Sequence, residues 1–418
     1  MTDVNPPPFR IETCDAARRE PGVTFFNVRP GGVADRDQSV GWLMGINQAG
    51  ETVICKGYPD PVQDTHNPGN GNILFSQTDH GLINEMTPGG DIVRQWYATG
   101  KWRDKTPPAG AIPIDIHLYH HKVNTFPNGN FLLLTMEIRE FENWPGSDTD
   151  PDAPTETARV VGDIVLEVTP EGGVINRWKL LDMLDPYRLC YGSRSGYWIR
   201  RGFPDTMDWC HANAVAHDAN DDSIIVSLRT QDCIIKFDRA TGELKWILGS
   251  HGNWKAPWSD KLLTPVGHVD WTFHQHDCSI TSDGNVLCFD NGNYRATPFD
   301  PKQPPEESHS QVVEFDVDAD AMTVRQVWSY AGAPGNRDYA CYQGGAYRLP
   351  KTGNTLMSYG GIVSVDGKPH DVAEEGFCRS RLVEVTPGGE VVFDLRVDGS
   401  DEDPPMPLSV FRAEHFPG

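Results

Sequence analysis

Three near copies of one hairpin decide the fold: LINEMTPGGDIVRQW (82–96), IVLEVTPEGGVINRW (164–178) and RLVEVTPGGEVVFDL (381–395). Each copy joins two apolar runs through a glycine-rich turn, which is the pattern of an antiparallel β-hairpin. Looser copies of the same hairpin occur at residues 41–55, 233–247 and 312–328. The chain therefore contains six related hairpins.

A second element, a tight turn followed by an apolar strand, precedes five of the hairpins. Its copies are residues 70–75, 128–134, 221–227, 283–289 and 352–358. Together the two elements describe blades of four antiparallel strands, and we predict an all-β fold, a six-bladed β-propeller with long inter-strand insertions. A pair of β-sandwiches is the alternative, but sandwiches do not repeat one hairpin six times.

The first hairpin lacks a preceding inner strand, and this sets the predicted boundaries. Residues 1–40 are expected to form an N-terminal extension, and the propeller is predicted over residues 41–418. The segment LSVFRAEHF (408–416) could supply the missing strand and close the ring. Insertions are expected at 140–159, 180–210, 250–271 and 297–309. The aromatic-rich insertion at 180–210 either covers a flat substrate or packs on the rim of the propeller.

The composition excludes several classes of partner. The 36 basic and 59 acidic side chains give a net charge of −23, so no basic face is available for nucleic acid. No apolar run approaches the roughly 20 residues that span a bilayer, and the first residues do not resemble a signal peptide. The nine cysteines include no CxxC pair. We therefore expect a cytoplasmic protein with free thiols and without a membrane partner, while its oligomeric state stays open.

Histidines recur at related points of successive blades. His121 and His276 each lie eight residues before a turn glycine, and His211 occupies the corresponding place before a slightly longer turn. Because equivalent positions of repeated blades face the same direction, we expect these side chains to converge on the central channel from blades three, four and five. Such a cluster is either a metal site or a site of acid/base and nucleophilic chemistry.

Other polar residues accompany the histidines. Asn213 lies two residues after His211 and therefore on the same strand face. Arg229 directly follows an apolar strand and needs either a carboxylate partner or an anionic ligand, whose oxygens its fork would fit. His274 and Asn291 are candidates for a surrounding layer, although Asn291-Gly292 fits a simple turn better.

Three segments carry these side chains: YHHKVNTFPNGNFLLL (119–134), DWCHANAVAHDANDDSIIVSLR (208–229) and FHQHDCSITSDGNVLCFDNGNYR (273–295). They resemble segments of the bacterial arylsulfate sulfotransferase family, and the resemblance runs from about residue 41 to the C-terminal FRAEHF. It implies a six-bladed propeller that moves a sulfuryl group from an aryl sulfate donor to a phenolic acceptor. In that family a channel histidine is transiently sulfurylated.

The resemblance also implies roles for individual residues. His276 would be the nucleophile, with Arg229, His211 and Asn213 holding the sulfuryl oxygens. His121 would be the remaining catalytic histidine, and His120 and His274 are further candidates for substrate binding. Sulfuryl transfer of this kind requires no metal and no diffusible nucleotide donor, so we expect no cofactor; the small-molecule partners would be an aryl sulfate and a phenol.

Two other functions compete with sulfuryl transfer. In a metal-dependent propeller lyase or hydrolase, the same three histidines, with Gln275 or His274, would bind a divalent ion and act on an anionic organic substrate. A non-catalytic propeller would instead bind a partner through its aromatic face. The convergence of histidines disfavours that second alternative.

Overall fold

A computed structural model describes residues 5–32, 40–335 and 337–417 of the chain. In this part of the chain, the strands form six sheets arranged as the six blades of a β-propeller, as the repeats predict. Blades 2 to 6 follow one another along the sequence, each with four antiparallel strands in chain order. Blade 2 comprises Thr65–His66, Ile73–Gln77, Leu82–Met86 and Ile92–Ala98; blade 3, His120–Thr125, Phe131–Trp144, Glu156–Val168 and Val174–Lys179; blade 4, Ala212–Asp218, Ser223–Leu228, Cys233–Asp238 and Leu244–Gly249; blade 5, His276–Ile280, Val286–Asp290, Gln311–Asp318 and Thr323–Tyr330; and blade 6, Gly345–Arg348, Thr355–Val365, Phe377–Val385 and Val391–Val397.

Short elements complete the blades. Three strands add in parallel to blades 2, 3 and 5, and a fourth extends a hairpin of blade 6: Ile112–Ile114, Thr206–Asp208, Thr264–Pro265 and Lys368–Pro369. One α-helical turn, Leu180–Met183, and the 3₁₀ turns Thr99–Trp102, Ile199–Arg201, Arg229–Gln231, Trp258–Lys261, Pro305–Glu307 and Ala373–Glu375 lie between strands. None of the helices among the described residues is long and apolar enough to cross a membrane.

Blade 1 joins both ends of the chain. Its strands are, from the axis outward, Ala413–Pro417, Gly22–Pro30, Gly41–Asn47 and Thr52–Tyr58, and Leu408–Ser409 pairs with the far end of Gly22–Pro30. The predicted placement of the C-terminal strand in the blade of residues 41–55 is confirmed. The innermost strands contact one another in sequence, and the last contacts the first, so the ring is closed.

The predicted extension over residues 1–40 needs correction. Gly22–Pro30 is a strand of blade 1, and Phe9–Cys14 pairs with Val391–Val397 at the outer edge of blade 6. Phe9–Cys14 pairs with a strand that is remote in the sequence, and Gly22–Pro30 pairs both with the remote Ala413–Pro417 and with Gly41–Asn47, from which ten residues separate it. Neither strand therefore shows the tight-turn hairpin pattern that marks the other strands. This segment therefore connects blade 6 to blade 1, because it contributes a strand to each of them.

The expected insertion at 140–159 is also partly regular structure. Phe131–Trp144 and Glu156–Val168 pair from Phe131 opposite Val168 as far as Trp144 opposite Glu156, which extends the hairpin of blade 3 beyond the ring. The Trp144 side chain at its end is fully buried beside Trp209 in the hydrophobic cluster between blades 3 and 4.

Four buried charges meet at the axis of the propeller. The guanidinium of Arg412 lies 3.4 Å from Asp64 and 3.6 Å from Asp277, and the ammonium of Lys122 lies 3.6 Å from Asp277. These residues come from blades 1, 2, 3 and 5. Arg412 also donates to the backbone carbonyl of Asn213 in blade 4 (3.2 Å). The network therefore ties five of the six blades together.

All nine cysteines are unpaired in the structure. Cys55 is exposed, Cys14 is half-buried, and the others are buried. The burial of Cys190, Cys210 and Cys288 raises the pKa of each thiol well above its usual value.

Ring closure by the C-terminal strand gives a first prediction. Phe416 is 9% exposed and packs edge-on against Phe25 at 4.6 Å between ring centroids. We expect Phe416→Ala to lower the free energy of unfolding by about 3–5 kcal/mol, because a buried aromatic ring is lost. Phe299→Ala is the matched control, since Phe299 is 45% exposed. Thermal denaturation of both variants measures the difference, and equal stabilities would contradict closure through this strand.

Candidate active site

A cavity of ≈ 450 Å³ opens where the inner strands begin. Every blade contributes one residue from this position: Phe411 from blade 1, Gln63 from blade 2, His121 from blade 3, His211 from blade 4, His276 from blade 5 and Gln343 from blade 6. The predicted convergence of three histidines from blades 3, 4 and 5 is confirmed. The rings of His121 and His211 meet edge to face at 4.9 Å.

Irregular backbone at the strand starts turns these side chains into the cavity. His121 (φ 57°) and His211 (φ 45°) adopt the left-handed conformation, and the ladder of each inner strand shifts register beside them. In blade 5, His276 itself pairs with Phe289, and the left-handed residue is Asp277 (φ 61°). His121 and His276 share the eight-residue spacing but reach the cavity through different backbone conformations. Such bulges re-aim side chains and are frequent beside functional sites.

The hydrogen bonds of His276 fix its tautomer. Asn291 donates through Nδ2 to the carbonyls of Ala340 (2.7 Å) and Gln343 (2.9 Å), so its Oδ1 must face His276. The Nδ1–H of His276 donates to that oxygen at 2.8 Å. Nε2 consequently carries the lone pair, and it accepts a long hydrogen bond from the backbone N–H of Gln343 (3.3 Å).

Burial keeps three histidines of the cavity neutral: His121, His274 and His276. It lowers the pKa of His276 well below its usual value, and the positive charge of Arg229 acts in the same direction. Burial likewise lowers the pKa of His121, with His211 as the next contribution, and that of His274. Neutral imidazoles at pH 7 have a lone pair available for nucleophilic attack or for accepting a proton.

Arg229 lines the cavity at the end of Ser223–Leu228. It donates to the carbonyl of Cys341 at 3.3 Å, and no ion pair among the described residues includes it. Among the described residues, Arg229 therefore has no carboxylate partner, and an anionic ligand is the other partner that its fork would fit. Its charge is directed toward the space beside His276.

His211 forms a dyad with a carboxylate. Its Nδ1 lies 2.5 Å from Oδ2 of Asp208, which also accepts from the hydroxyl of Ser195 at 3.2 Å. Asp208 ends the short strand Thr206–Asp208, and Ser195 lies within the insertion at 180–210. The ring of Tyr197, from the same insertion, stands edge-on to His211 at 4.3 Å. The insertion therefore forms one wall of the cavity.

His121 is backed by a second histidine and a carboxylate. Nδ1 of His121 and Nδ1 of His120 are 2.8 Å apart, and Nε2 of His120 lies 3.2 Å from Asp163. Burial of Asp163 opposes its ionisation, but hydrogen bonds from His120 and from the backbone of Ala212 hold its pKa below the usual value. The chain Asp163–His120–His121 can pass a proton between the cavity and the interior of blade 3.

Two residues predicted to bind substrate do not line the cavity. His120 lies behind His121, and the side-chain amide of Asn213 donates to the carbonyl of Gln275 (2.8 Å), beneath the cavity floor. His274 does line the cavity, with Nδ1 3.0 Å from Asp232. Gln275, considered as a metal ligand, instead donates to two backbone carbonyls inside blade 4, those of Leu228 and Cys233.

The described residues contain no group of three or more His, Cys, Asp or Glu side chains arranged to hold a metal ion. His121, His211, His274 and His276 each use Nδ1 for a contact within the protein and direct Nε2 toward the cavity.

Sequence reasoning missed several residues of this cavity. Asp208 and Asn291 hold the histidines, Gln343 contacts His276, and Arg29 and Arg201 add positive charge to the walls. Asn291 could have been recognised from its place in FDNGN, where the turn interpretation was preferred. Arg29 lies outside the predicted propeller and gave no signal.

Comparison with known proteins settles the family. The family described as arylsulfotransferase (ASST) matches residues 58–404, which is most of the chain. The chain belongs to the arylsulfotransferase family. The resemblance predicted from the three histidine-bearing segments is thereby confirmed.

Two curated members of this family, both named arylsulfate sulfotransferase AssT, align with part of the chain. The protein of Escherichia coli O6:H1 (strain CFT073) is 30% identical over 246 residues, covering 49% of this chain and 40% of that protein. The protein of Lelliottia amnigena is 27% identical over 248 residues, with the same two coverages. The aligned region therefore spans less than half the length of these relatives.

Some solved structures resemble the chain at low sequence identity and low TM-score. A protein of unknown function from Bacteroides caccae covers 94% of this arylsulfotransferase-family chain, and 98% of its own, at 13% identity and a TM-score of 0.47. Virginiamycin B lyase from Staphylococcus aureus covers 93% of this chain and 99% of its own, at 8% identity and a TM-score of 0.34. Similarity at this level carries no information on function.

The depressed histidine pKa values predict a pH-dependent stability. The folded state binds fewer protons than the unfolded state below the unfolded histidine pKa of about 6.5, so stability is fully present above that pH and falls as the pH is lowered. Replacing His276 by Gln should reduce the loss of unfolding free energy between pH 7 and pH 5 by about 1–2 kcal/mol. Urea denaturation at both pH values measures this difference.

The control for this measurement is His268→Gln, because the His268 side chain is 81% exposed. Comparing the two variants separates the effect of burial from the effect of removing any imidazole. An unchanged pH dependence in the His276→Gln variant would contradict a buried, neutral His276.

Proposed function

We propose that this protein transfers a sulfuryl group from an aryl sulfate donor to a phenolic acceptor through a sulfurylated His276. One observation carries the proposal: Nε2 of His276 holds its lone pair inside the cavity, in an orientation fixed by Asn291 and beside the cation of Arg229. Family membership and the similarity to the AssT proteins support the same reaction.

The first half-reaction forms a nitrogen–sulfur bond. The Nε2 lone pair attacks the sulfur of the donor, and the bond from sulfur to the aryl oxygen breaks with its electron pair leaving on that oxygen. His211 starts this step protonated on both ring nitrogens, and its Nε2 proton converts the departing aryl oxide to a phenol. His276 then carries the sulfuryl group on Nε2 and keeps its proton on Nδ1, where it is hydrogen-bonded to Oδ1 of Asn291.

The second half-reaction reverses these bonds with a different phenol. The acceptor gives its proton to the histidine that protonated the leaving group, and its oxygen attacks sulfur. The nitrogen–sulfur bond breaks, its electron pair returns to Nε2, and His276 regains its starting state. Donor and acceptor therefore occupy the same cavity in turn, and neither a metal nor a nucleotide donor enters the balance.

Negative charge on the sulfuryl oxygens is stabilised by groups already in place. Arg229 supplies a planar cation without a carboxylate partner among the described residues. The backbone N–H of Gln343 loses its acceptor when sulfur bonds to Nε2 and can then donate to a sulfuryl oxygen. Preplaced donors of this kind contribute because they need no reorganisation during the reaction.

His211 supplies the proton transfer in this proposal. Asp208 holds its Nδ1 at 2.5 Å, which orients Nε2 toward the cavity and stabilises the imidazolium that forms. His121, joined through His120 to Asp163, lies edge-on to His211 and can exchange protons with the interior.

We also propose a cytoplasmic location for the protein. Nine unpaired thiols, most of them buried, are compatible with a reducing compartment and support a cytoplasmic enzyme. Neither the acceptor nor the donor needs a membrane or a nucleic acid in this mechanism.

The nucleophile is tested by His276→Asn. Asparagine keeps a hydrogen-bonding group of similar size but has no nucleophilic lone pair, so release of nitrophenol from nitrophenyl sulfate should stop. The wild-type protein mixed with donor alone should gain the mass of one SO₃ group on His276, and the variant should gain none. Arg229→Lys keeps the charge without the fork and should lower turnover by about 10²–10³ while retaining the labelled intermediate.

Metal analysis accompanies this experiment. Bound metal that is lost together in His276→Asn and His211→Asn, with no sulfurylated histidine in the wild type, would favour the lyase or hydrolase alternative. A fully active His276→Asn variant would remove the nucleophile assignment.

The dyad is tested by Asp208→Asn. We expect a loss of about 10²–10⁴ in turnover with phenol as the acceptor, because His211 loses its orientation and the stabilisation of its charged form. Nitrophenol release in the first half-reaction should suffer less, since a nitrophenolate needs little protonation to leave. Rapid-mixing measurements separate the two half-reactions, with Asp260→Asn as an exposed control. Equal losses in both half-reactions would contradict the assigned role.

A further inference from the structure

We propose that the aryl substrate carries a second acidic group, a carboxylate, which Arg29 and Arg201 bind in the cavity that also contains Arg229. This inference rests on the proposed function, because it concerns the part of the substrate that does not react. The ligand class is a phenol, or its sulfate ester, with a carboxylate across the ring from the reacting oxygen.

The charges on the cavity walls are the first argument. Asp208 is paired with His211, Asp371 accepts from the hydroxyl of Tyr339, and Arg200 is paired with Glu374 at 3.2 Å. Within the described ranges, no ion pair includes Arg29, Arg201 or Arg229. Asp79 also lines the cavity, but it is exposed at the mouth and forms no ion pair with these arginines. One sulfuryl group pairs with one of these three arginines, Arg229, which leaves Arg29 and Arg201 for a second anionic group.

Arg29 is a partly desolvated cation. It lies near the end of Gly22–Pro30 and is half-buried, and burial lowers the pKa of its guanidinium. Its direct contacts are neutral: Nη2 donates to Oε1 of Gln343, and the guanidinium lies 5.6 Å from the ring centroid of Phe411. The charges of Asp79 and Arg201 act on Arg29 from outside these contacts. A half-buried guanidinium without an anion in direct contact gains from an anionic ligand, because its lost hydration is then replaced by opposite charge.

Arg201 lies at the mouth of the cavity on the insertion of blade 3. Its guanidinium stacks on the ring of Tyr197 at 3.7 Å, and that ring is 4.3 Å from His211. Arg201 is exposed, so its side chain can approach a ligand from the solvent side while Arg29 holds it from within. Each arginine is thus joined to a cavity histidine through one aromatic ring, since Phe411 lies 6.0 Å from His121.

Gln343 sets the distance between the two ends of the ligand. Its backbone N–H contacts Nε2 of His276, and the tip of its side chain contacts Arg29. The reacting nitrogen and the second cation are therefore connected through one glutamine residue and the two hydrogen bonds at its ends. The span of this connection suits a single aromatic ring with its oxygen at one end and its acidic group at the other. The planar, two-oxygen geometry of a carboxylate matches the fork of an arginine.

The experiment compares two acceptors of equal size. With nitrophenyl sulfate as donor, 4-hydroxybenzoate carries the second acidic group and 4-hydroxybenzamide is its neutral counterpart. We expect the wild-type protein to prefer the benzoate. In Arg29→Gln, kcat/KM for the benzoate should fall by about 10- to 100-fold more than kcat/KM for the benzamide, the range expected for a hydrogen bond to a charged group. Arg201→Gln should shift the same ratio in the same direction.

Arg10→Gln is the matched control, because Arg10 is 54% exposed on the outermost strand of blade 6 and far from the cavity walls. It should keep the wild-type ratio. No preference for the benzoate in the wild type, or equal losses for both acceptors in Arg29→Gln, would overturn the inference.

Calorimetric binding of 4-hydroxybenzoate distinguishes this inference from the proposed function. Arg29-dependent binding of the benzoate without any sulfuryl transfer would keep the carboxylate site and reject the reaction. Sulfuryl transfer to simple phenols without Arg29-dependent binding would keep the reaction and reject the carboxylate site.

Discussion

The four buried charges at the axis determine where the inner strands begin, and the rest of the site follows from that constraint. Each of these residues is preceded in the chain by a residue that lines the cavity: Gln63 before Asp64, His121 before Lys122, His276 before Asp277 and Phe411 before Arg412. In each pair, the side chain of the first residue lines the cavity and that of the second lies in the ion network. Removing one partner of a buried network costs about 3–5 kcal/mol, so the register of these strands is strongly fixed.

A common arrangement governs the cavity histidines. Each is held through Nδ1, by Asp208, Asn291, Asp232 or His120, and each presents Nε2 to the cavity. The residue that binds Nδ1 differs between the histidines, and the roles that we assign to them differ accordingly. At His276, the neutral amide of Asn291 together with burial favours a ring that stays neutral. At His211, the carboxylate of Asp208 binds Nδ1 and orients the ring for proton transfer. Related side chains in one cavity can therefore act as base and as nucleophile.

The repeats made the blades predictable, because each hairpin combines local turn chemistry with an alternating apolar pattern. The N-terminal strands were missed for the opposite reason: Gly22–Pro30 pairs with Ala413–Pro417, almost the whole chain away, and leaves no local signal. Spacing from the turn glycines located His121 and His276. It could not show the left-handed backbone at His121, nor that Asn213 turns its amide toward blade 5 rather than the cavity. Contacts made across blades, such as those of Asn291 and Arg29, have no sequence pattern of their own.

The left-handed conformation of His121 and His211 lowers the stability of the fold at two residues of the candidate active site. Such a backbone costs roughly 1–2 kcal/mol for a residue with a Cβ atom and nothing for glycine. Glycine at either position would relieve this strain but would also remove a buried, hydrogen-bonded imidazole. Directed evolution of this scaffold for heat resistance therefore needs a screen for turnover, because a change that relieves strain at these positions removes a group of the site.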